Sequence, residues 1–513
     1  MQFFRYLFTV FYLGTLTGCP NPTQISEPHP QVAIPEKWSA LGETALNETE
    51  TVPDGTTLGG TVPKSTDPDT PITGAVSSAI VGAQDDTRDD TQDNTNTRKS
   101  DLVPSWLADF EAPILHTLVE EAVGKNFDLD AAIARVRAAR ARARREGAEK
   151  LPEFTGDLSA SRARSGLTGT VSNTFALGIE VSWEADLWDR LDSAARAAVA
   201  RVRAEEGDYR MARLSLAANV ARTWFEAIES DQQLHLAEKT IASFENSLGT
   251  IERRYRLGIG SALDVRLARE NVATARSQRE TRARNRDTAV RSLEILLGRY
   301  PSGTLNIQRD LPKLRRNIPV DLPSDLLDRR PDVIAANARL LAARHGLATA
   351  RANRLPRLRL TASGGTASSE LHDLLRLDSL AWNLLGGLTR PLWDGGRLSS
   401  EVDIARADRR EADAKYAAVV LRAFREVESA LTAEALLLNQ EVALGVATRE
   451  ARAASALAME QYRQGLSDIV TLLSTQRREF DARSSLLAVA KRRLNTRVDL
   501  YLALGGGFQT ARK

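Results

Sequence analysis

YRLGIGSALDV, residues 255–265, interrupts a long stretch of helical periodicity, and YRQGLSDIVTL, residues 462–472, interrupts a second such stretch 207 residues later. Both segments read Tyr-Arg-x-Gly, then small and polar residues, then apolar residues. Gly258 and Gly465 permit the backbone conformation that a tight turn between two helices requires. We therefore expect two similar helix-turn-helix tips, each joining two long helices.

Other segments repeat at nearly the same spacing, which indicates one structural unit used twice. NFDLDAAIARVRAARARARREGAEKLP (126–152) matches RRPDVIAANARLLAARHGLATARANRLP (329–356), and EADLWDRL (184–191) matches TRPLWDGGRL (389–398). Within each unit we expect, in order, a helix, two strands, a very long helix, the tip and another long helix.

The long helices are predicted from apolar side chains that recur every three or four residues, a spacing typical of a narrow coiled-coil seam. From Leu191 to Arg256 such a helix would be roughly 100 Å long, at about 1.5 Å per residue. A helix of that length cannot fold over a compact core, so it must lie beside other long helices. The clearest seam contains Leu214, Ala218, Ala221, Phe225 and Ile228.

Two strand pairs are expected where the periodicity changes from helical to alternating, after the matching prolines of the two units. In FALGIEVSWEADL (175–187), apolar residues occupy one face, and the other carries Glu180, Glu184 and Asp186. These acids are costly in lipid but can line a water-filled lumen, and the alternative is an exposed sheet with one wet face. The strands are expected near residues 153–161, 175–187, 357–364 and 380–392.

The predicted strands have 8–13 residues, close to the roughly 9–11 that a tilted strand needs to cross a bilayer. A membrane tolerates no open sheet edge, and four strands are too few to close into a barrel. If these strands cross a membrane, several chains must therefore pool them, and three chains would supply twelve.

The N-terminus, MQFFRYLFTVFYLGTLTGC, has the features of an export signal: Arg5, a short apolar run and then Leu-Thr-Gly-Cys. The apolar run is too short to span a bilayer. Leu-Thr-Gly-Cys resembles a bacterial lipobox, which implies cleavage before Cys19 and acylation of that cysteine. Pro20 follows, instead of the Asp that retains many lipoproteins at the inner membrane, so we expect a lipid-anchored protein of the outer membrane.

Composition divides the chain further. A long segment near the N-terminus is rich in Thr, Asp, Gly and Pro, lacks hydrophobic periodicity and is expected to be disordered. We expect a signal peptide over residues 1–18, a lipidated tether over 19–40 and a low-complexity disordered insertion over 41–100. Two repeats follow, over 101–310 and 311–505, and then a C-terminal tail over 506–513.

Motifs of enzymes and metal sites are not found in the sequence. The five histidines have no metal-ligand spacing, and His-Glu-x-x-His, G-x-S-x-G and phosphate-loop motifs are missing. The net charge is only +2, and acids are interleaved with the arginines, so there is no general attraction to nucleic acid. We therefore expect no enzymatic activity, no cofactor, no metal site and no nucleic-acid partner.

Together these features resemble the TolC-like outer membrane efflux proteins, and the lipobox resembles their lipoprotein branch, the OprM or NodT type. The resemblance implies a mainly α homotrimer in which a twelve-stranded membrane β-barrel continues into a periplasmic α-barrel. It also implies a passive duct that exports small molecules, such as drugs and toxic compounds, from an inner-membrane pump, usually of the RND type, through a periplasmic adaptor. The resemblance is carried by VSWEADLWDRL, YRLGIGSALDV, LPSDLLDRRPDVIAA, PLWDGGRL and YRQGLSDIVTL.

The resemblance further implies that the two tips form the periplasmic mouth, where the pore closes and the adaptor docks. The candidate tip residues are Tyr255, Gly258, Asp264, Tyr462, Gly465 and Asp468.

The second tip departs from the family pattern. Thr471 and Ser474 stand where many members carry the aspartates of an acidic ring. Ser467 stands where some members carry an arginine that locks the closed mouth, and Arg256 and Arg463 are the candidates to replace that arginine.

Two other functions are also compatible with the sequence. The same fold could serve type I protein secretion, because cargo is chosen mainly by the pump. The chain could also be a lipid-anchored coiled-coil structural or adaptor protein, but the alternating strands argue against this alternative. An adaptor would need a lipoyl-like domain and compact β-domains flanking a single helical hairpin, and the sequence shows none of these.

Overall fold

The computed structural model describes residues 104–314, 325–376, 378 and 380–506. The predicted signal peptide, the tether with Cys19 and the insertion over residues 41–100 lie outside the described residues. The described part of the chain is mainly helical and has nearly the same order of elements twice.

The first set of elements begins with a short 3-10 helix, Ser105–Phe110, and ends with two long helices joined at the first tip. Its bounds are α1 Pro113–Lys125, α2 Phe127–Ala148, β1 Glu153–Arg164, β2 Val171–Ala185, α3 Arg190–Arg256 and α4 Ala262–Leu296.

The second set has the same long elements. The helices α3 and α7 each contain 67 residues, and α4 and α8 each contain 35. Its bounds are α5 Asp325–Arg329, α6 Pro331–Ala352, β3 Arg357–Ser368, β4 Leu380–Thr389, α7 Arg397–Arg463 and α8 Ile469–Ala503.

The long helices pack side by side. In the half of the molecule that contains the tips, α3 packs against α4 and α7 packs against α8. Here α3 also packs against α8. In the other half α3 packs against α2 and α6, and α6 packs against α7. In the described part of the chain, no helix is both long enough and apolar enough to cross a membrane.

Small side chains allow α3 and α6 to approach closely. A Cβ added at Gly207 of α3 would lie 2.9 Å from the Cβ of Ala335 and 2.9 Å from the carbonyl oxygen of Pro331. Contacts of this kind bury little area per residue, but they continue along the helices because alanine recurs on the buried face of α3.

The largest apolar cluster lies where the N-terminal segment meets the middle of α3 and the end of α8. The rings of Trp106 and Tyr501 stack at 5.5 Å between centroids, and those of Phe110 and Phe225 lie 5.3 Å apart. Aromatic residues make up only 5% of the chain, so several of them packed together mark this cluster as the main apolar core of the described residues.

The motif Arg-Arg-Pro-Asp forms a polar junction at the start of α6. Arg330 is only 2% exposed, and its guanidinium pairs with Asp332 and with Glu426 of α7, each at 2.8 Å. It also donates to the carbonyl of Ala503 at 3.1 Å, so one buried cation joins α6, α7 and the end of α8.

The four strands form one antiparallel sheet in the order β1-β2-β3-β4. The register places Phe154 opposite Val181, Trp183 opposite Leu360, and Leu360 opposite Gly386. Because directly opposed residues share a face, most of the large apolar side chains of the sheet lie on one face, which becomes polar near the β1–β2 loop at Arg162, Arg164 and Asn173. That face includes Phe154, Leu158, Leu177, Ile179, Trp183, Leu358, Leu360, Trp382, Leu384 and Leu388.

The strand ends differ from the prediction. Three strands are longer than predicted at the ends that face the loops. β1 continues to Arg164, β2 already begins at Val171, and β3 continues to Ser368. These extensions are rich in Ser, Thr and Arg, so they lack the apolar alternation on which the prediction relied. At their other ends, β2 stops at Ala185 and β4 at Thr389, earlier than predicted.

Glu294 fixes the segment that follows the first hairpin. Its side chain, 3% exposed, accepts hydrogen bonds from the Ser302 hydroxyl and from the N–H groups of Gly303, Thr304 and Leu305 at 2.7–3.2 Å. Burial would raise the pKa of this carboxyl, but the hydrogen bonds outweigh burial and hold its pKa below the ordinary value.

Glu294→Ala is expected to release residues 298–305 from α4, because a hydrogen bond to a charged acceptor contributes about 1.5–3 kcal/mol. We expect local opening to become at least about tenfold more frequent, measured as faster limited proteolysis within that segment. Glu280→Ala, at an exposed position of the same helix, is the control. Equal cleavage rates in the two variants would contradict the anchoring role of Glu294.

The same contact predicts a pH dependence. The folded pKa of Glu294 is lowered, so its contribution is present above the ordinary glutamate pKa of about 4.3 and is lost as the pH falls through the folded value. Cleavage in this segment should therefore rise on acidification in the wild-type protein and change less in Glu294→Ala.

Candidate functional site

At the first tip, the helix α3 ends in a Schellman motif. The helix α3 ends at Arg256, and Gly258 adopts a φ of 74°. The N–H of Gly258 donates to the Tyr255 carbonyl at 2.9 Å, and the N–H of Ile259 donates to the Arg254 carbonyl at 3.0 Å. This is the pair of bonds that ends a helix with a left-handed residue, and it explains why glycine occupies position 258.

The start of α4 is fixed by a capping box. The Ser261 hydroxyl accepts from the Asp264 N–H, and the Asp264 carboxylate accepts from the Ser261 N–H, each at 3.1 Å. Asp264 therefore orders the turn itself, and at the N-terminus of α4 its negative charge is favoured by the helix dipole.

The second tip repeats the same turn with a different cap. Gly465 has a φ of 78°, its N–H donates to the Tyr462 carbonyl at 3.1 Å, and the N–H of Leu466 donates to the Gln461 carbonyl at 2.8 Å. Asp468 accepts from the N–H of Thr471 at 2.6 Å. Bonds donated by Thr471 hold the pKa of Asp468 below its ordinary value.

The two tips of one chain lie against each other. An apolar cluster unites both hairpins here, with Ile251 and Val265 from the first, and Tyr462 and Leu472 from the second. Tyr462 is 4% exposed, whereas Tyr255, its counterpart in the first repeat, is 48% exposed. Burial, and secondarily the charge of Asp264, raises the pKa of Tyr462.

Arg254 joins the tips through polar contacts that sequence reasoning missed. Its Nη1 donates to the carbonyls of Tyr462 at 3.0 Å and Arg463 at 3.2 Å, and its Cζ lies 5.0 Å from the centroid of the Tyr462 ring. The two candidates named from the sequence have other contacts: Arg256 donates to the carbonyl of Glu252 in its own helix, and Arg463 pairs with Glu460.

The hydroxyl residues of the second tip are arranged along the first turns of α8. The Ser474 hydroxyl donates to the Thr471 carbonyl at 3.0 Å, and the Thr471 side chain is exposed. At these two positions the tip therefore presents neutral hydroxyl groups.

Two of the three predicted lumen acids lie at the junction between strand and helix. Glu184 pairs with Arg190 at 2.9 Å, and Asp186 accepts from the N–H of Asp192 at 2.8 Å. Both contacts hold the start of α3 against the end of β2. Glu180 alone lies well inside β2, exposed on the face opposite the apolar one and across from Thr155.

Two tryptophans strengthen the same junction. The indole N–H of Trp183 donates to the Lys150 carbonyl at 3.0 Å, and that of Trp188 donates to the Pro356 carbonyl at 2.7 Å. The second bond links the junction of one repeat to that of the other.

The loop between β3 and β4 contains the only group of three potential metal ligands among the described residues: Glu370, His372 and Asp373. The His372 nitrogens lie 3.2 Å from the carboxylates of Glu370 and Asp373. The side chains of Glu370 and His372 are exposed. The spacing rules applied to the sequence did not single out this group, since its members are nearly adjacent in a loop.

Comparison with known proteins identifies the family. The family described as outer membrane efflux protein matches residues 118–299 and 322–506. The toluene efflux pump outer membrane protein TtgI of Pseudomonas putida is 33% identical over 415 residues, which cover 78% of this chain and 87% of TtgI. OprJ of Pseudomonas aeruginosa is 32% identical, covering 80% of this chain and 86% of OprJ.

Solved structures agree with these relatives. The outer-membrane channel OprN superposes with a TM-score of 0.75 at 28% identity, covering 78% of this chain and 92% of OprN. The open state of the Neisseria gonorrhoeae MtrE outer membrane channel has a TM-score of 0.70 at 28% identity, covering 77% of this chain and 89% of MtrE. The resemblance inferred from the sequence is confirmed: the chain belongs to the outer membrane efflux protein family, and it is an efflux channel of the outer membrane.

Proposed function

We propose that three copies of the chain form a passive duct, with a twelve-stranded barrel in the outer membrane continuous with a barrel of α-helices in the periplasm. The observation that carries the proposal is the sheet register, which gathers most of the large apolar residues of the four strands on one face and places polar residues such as Glu180 and Asn383 on the other. A sheet with this pattern suits lipid on one side and water on the other.

The free edges of the sheet support a trimer. Among the described residues, β1 pairs only with β2, and β4 pairs only with β3. A membrane does not tolerate unpaired strand edges, so β4 of one copy must pair with β1 of the next. Three copies with four strands each make twelve strands, enough to enclose a water-filled interior.

Exposed apolar side chains on α7 also support association. Leu421, Leu436, Val442 and Leu457 are all more than half exposed in the single chain. Neighbouring copies would cover them when the long helices close into a ring, with a gain of about 25 cal/mol for each Å² of apolar surface removed from water.

The tips would form the periplasmic mouth. Six tips from three copies would surround the end of the duct, where they gate it and bind a periplasmic adaptor, which in turn contacts an inner-membrane pump of the RND type. Acylation of Cys19, outside the described residues, would add a lipid anchor in the outer membrane. The duct itself needs no cofactor and carries out no catalysis.

The cargo we propose is small molecules. Relatives are named for efflux of toluene, export of pyoverdine and efflux of cations, which are small and chemically diverse. This range favours small-molecule export over type I protein secretion, and a lipid-anchored structural protein would have no use for a sheet with one apolar face.

Gly465→Val tests the channel and its gate. Valine is strained at a φ of 78°, so the second tip should loosen and the mouth should open more often. In planar bilayers we expect low, steady conductance from the wild type and at least about tenfold more open time in the variant, the effect of about 1.4 kcal/mol. Gly445→Val, within α7, is the control. Absence of conductance in every protein would contradict the channel.

Thr471→Asp tests the altered mouth. The backbone N–H of residue 471 still donates to the Asp468 carboxylate after the substitution, and the bond from the Thr471 hydroxyl is lost in Asp and Asn alike. An acid near the start of α8 is favoured by the helix dipole. Three copies would then gain three negative charges around the mouth. We expect a shift of the reversal potential toward cation selectivity in a salt gradient, with Thr471→Asn as the uncharged control. An equal selectivity of the two variants would show that position 471 lies away from the ion path.

A further inference from the structure

We propose that Arg254 is a clasp between the two tips of one chain, and that opening of the mouth breaks it. The guanidinium is carried by the last turns of α3 and binds the end of α7. The inference rests on the proposed function, because the clasp affects transport only if the tips gate a duct.

The chemistry of a helix end explains why an arginine binds there. The last carbonyls of a helix have no partner within it and carry partial negative charge. In α7 one nitrogen of Arg254 donates to the carbonyl of Arg463 at 3.2 Å and to that of Tyr462 at 3.0 Å, which also accepts from the Gly465 N–H of the turn. A cation supplied by the neighbouring helix therefore caps α7 from outside.

Packing fixes the guanidinium in this place. It lies 5.0 Å from the centroid of the Tyr462 ring, a distance suited to a cation–π contact. Its Nη2 is 3.8 Å from the point that a Cβ on Gly465 would occupy. Arg254 therefore touches the ring, the helix end and the turn glycine of the second tip together.

The contact is asymmetric between the two repeats: in the part of the chain that the structure describes, the first tip supplies an arginine to the second, and the second supplies none to the first. The position related to Arg254 by the repeat, 207 residues later, is Gln461, which has no charge with which to cap the end of α3. The repeat-related tyrosines differ accordingly, since Tyr462 is buried and Tyr255 is half exposed. The first tip thus holds the second, although the two turns have the same backbone bonds.

The strength of the contact suits a gate. Arg254 is half-buried, so its bonds can be exchanged for bonds to water when the tips separate. The apolar cluster of both hairpins holds the tips as well, and loss of the clasp should therefore loosen the tip without unfolding it.

The test compares Arg254→Ala with Arg253→Ala in the full-length protein. Arg253 is the adjacent residue, is exposed and donates to Thr250 of its own helix, so both variants lose one positive charge at the same tip. Arg254→Lys keeps the charge but lacks the planar fork of arginine. Bilayer conductance, hydrogen exchange of residues 459–467 and the melting temperature of the assembly are measured for each.

We expect Arg254→Ala to increase open time and exchange of residues 459–467 about tenfold, the effect of about 1.4 kcal/mol, at an unchanged melting temperature. Arg254→Lys should fall between, and Arg253→Ala should match the wild type. Unchanged exchange in Arg254→Ala, an equal effect of Arg253→Ala, or faster exchange without more open time would each overturn the clasp.

Failure of the proposed function is distinguishable from failure of the clasp. If no protein conducts, including Gly465→Val, the duct is contradicted, and with it the gating role of Arg254, whatever the exchange data show. If Gly465→Val opens the channel and Arg254→Ala does not, the duct stands and the clasp is overturned.

Discussion

A helix of 67 residues must find packing partners along its whole length, and this constraint governs the rest of the structure. An isolated helix is marginally stable, and most of its stability in a protein comes from lateral contacts. The helix α3 meets the constraint by changing partners, from α2 and α6 in one half to α4 and α8 in the other. Duplication of the unit supplies these partners, and the close approach at Gly207 shows how small residues bring them together.

The tips show how a repeated unit acquires an asymmetric function. Both turns use the same two backbone hydrogen bonds around a glycine with positive φ. They differ in side chains: a Ser261–Asp264 capping box in one and Asp468 in the other, and arginine against glutamine at positions 254 and 461. Because the two turns share a backbone but differ in polar side chains, Arg254 of the first hairpin binds the second, with no equivalent contact from Gln461.

Features that depend on local periodicity were predicted from the sequence, and features that depend on distant partners were not. The long helices and the tip turns follow from apolar spacing and from Gly258 and Gly465. The strand ends were missed because Ser- and Arg-rich segments carry no alternation. The pairing of Glu184 with Arg190, and the binding of Arg254 to carbonyls some 208 residues away, arise only when the junction and the tips are assembled.

We propose that the sheet of one chain is completed by its neighbours in the membrane. The most direct test is electron cryomicroscopy of the protein purified from the outer membrane into lipid nanodiscs, at a resolution that separates strands. We expect threefold symmetry and twelve strands, with β4 of each copy paired with β1 of the next and the apolar face toward lipid. A monomer, or an assembly in which β1 and β4 remain unpaired, would contradict the claim.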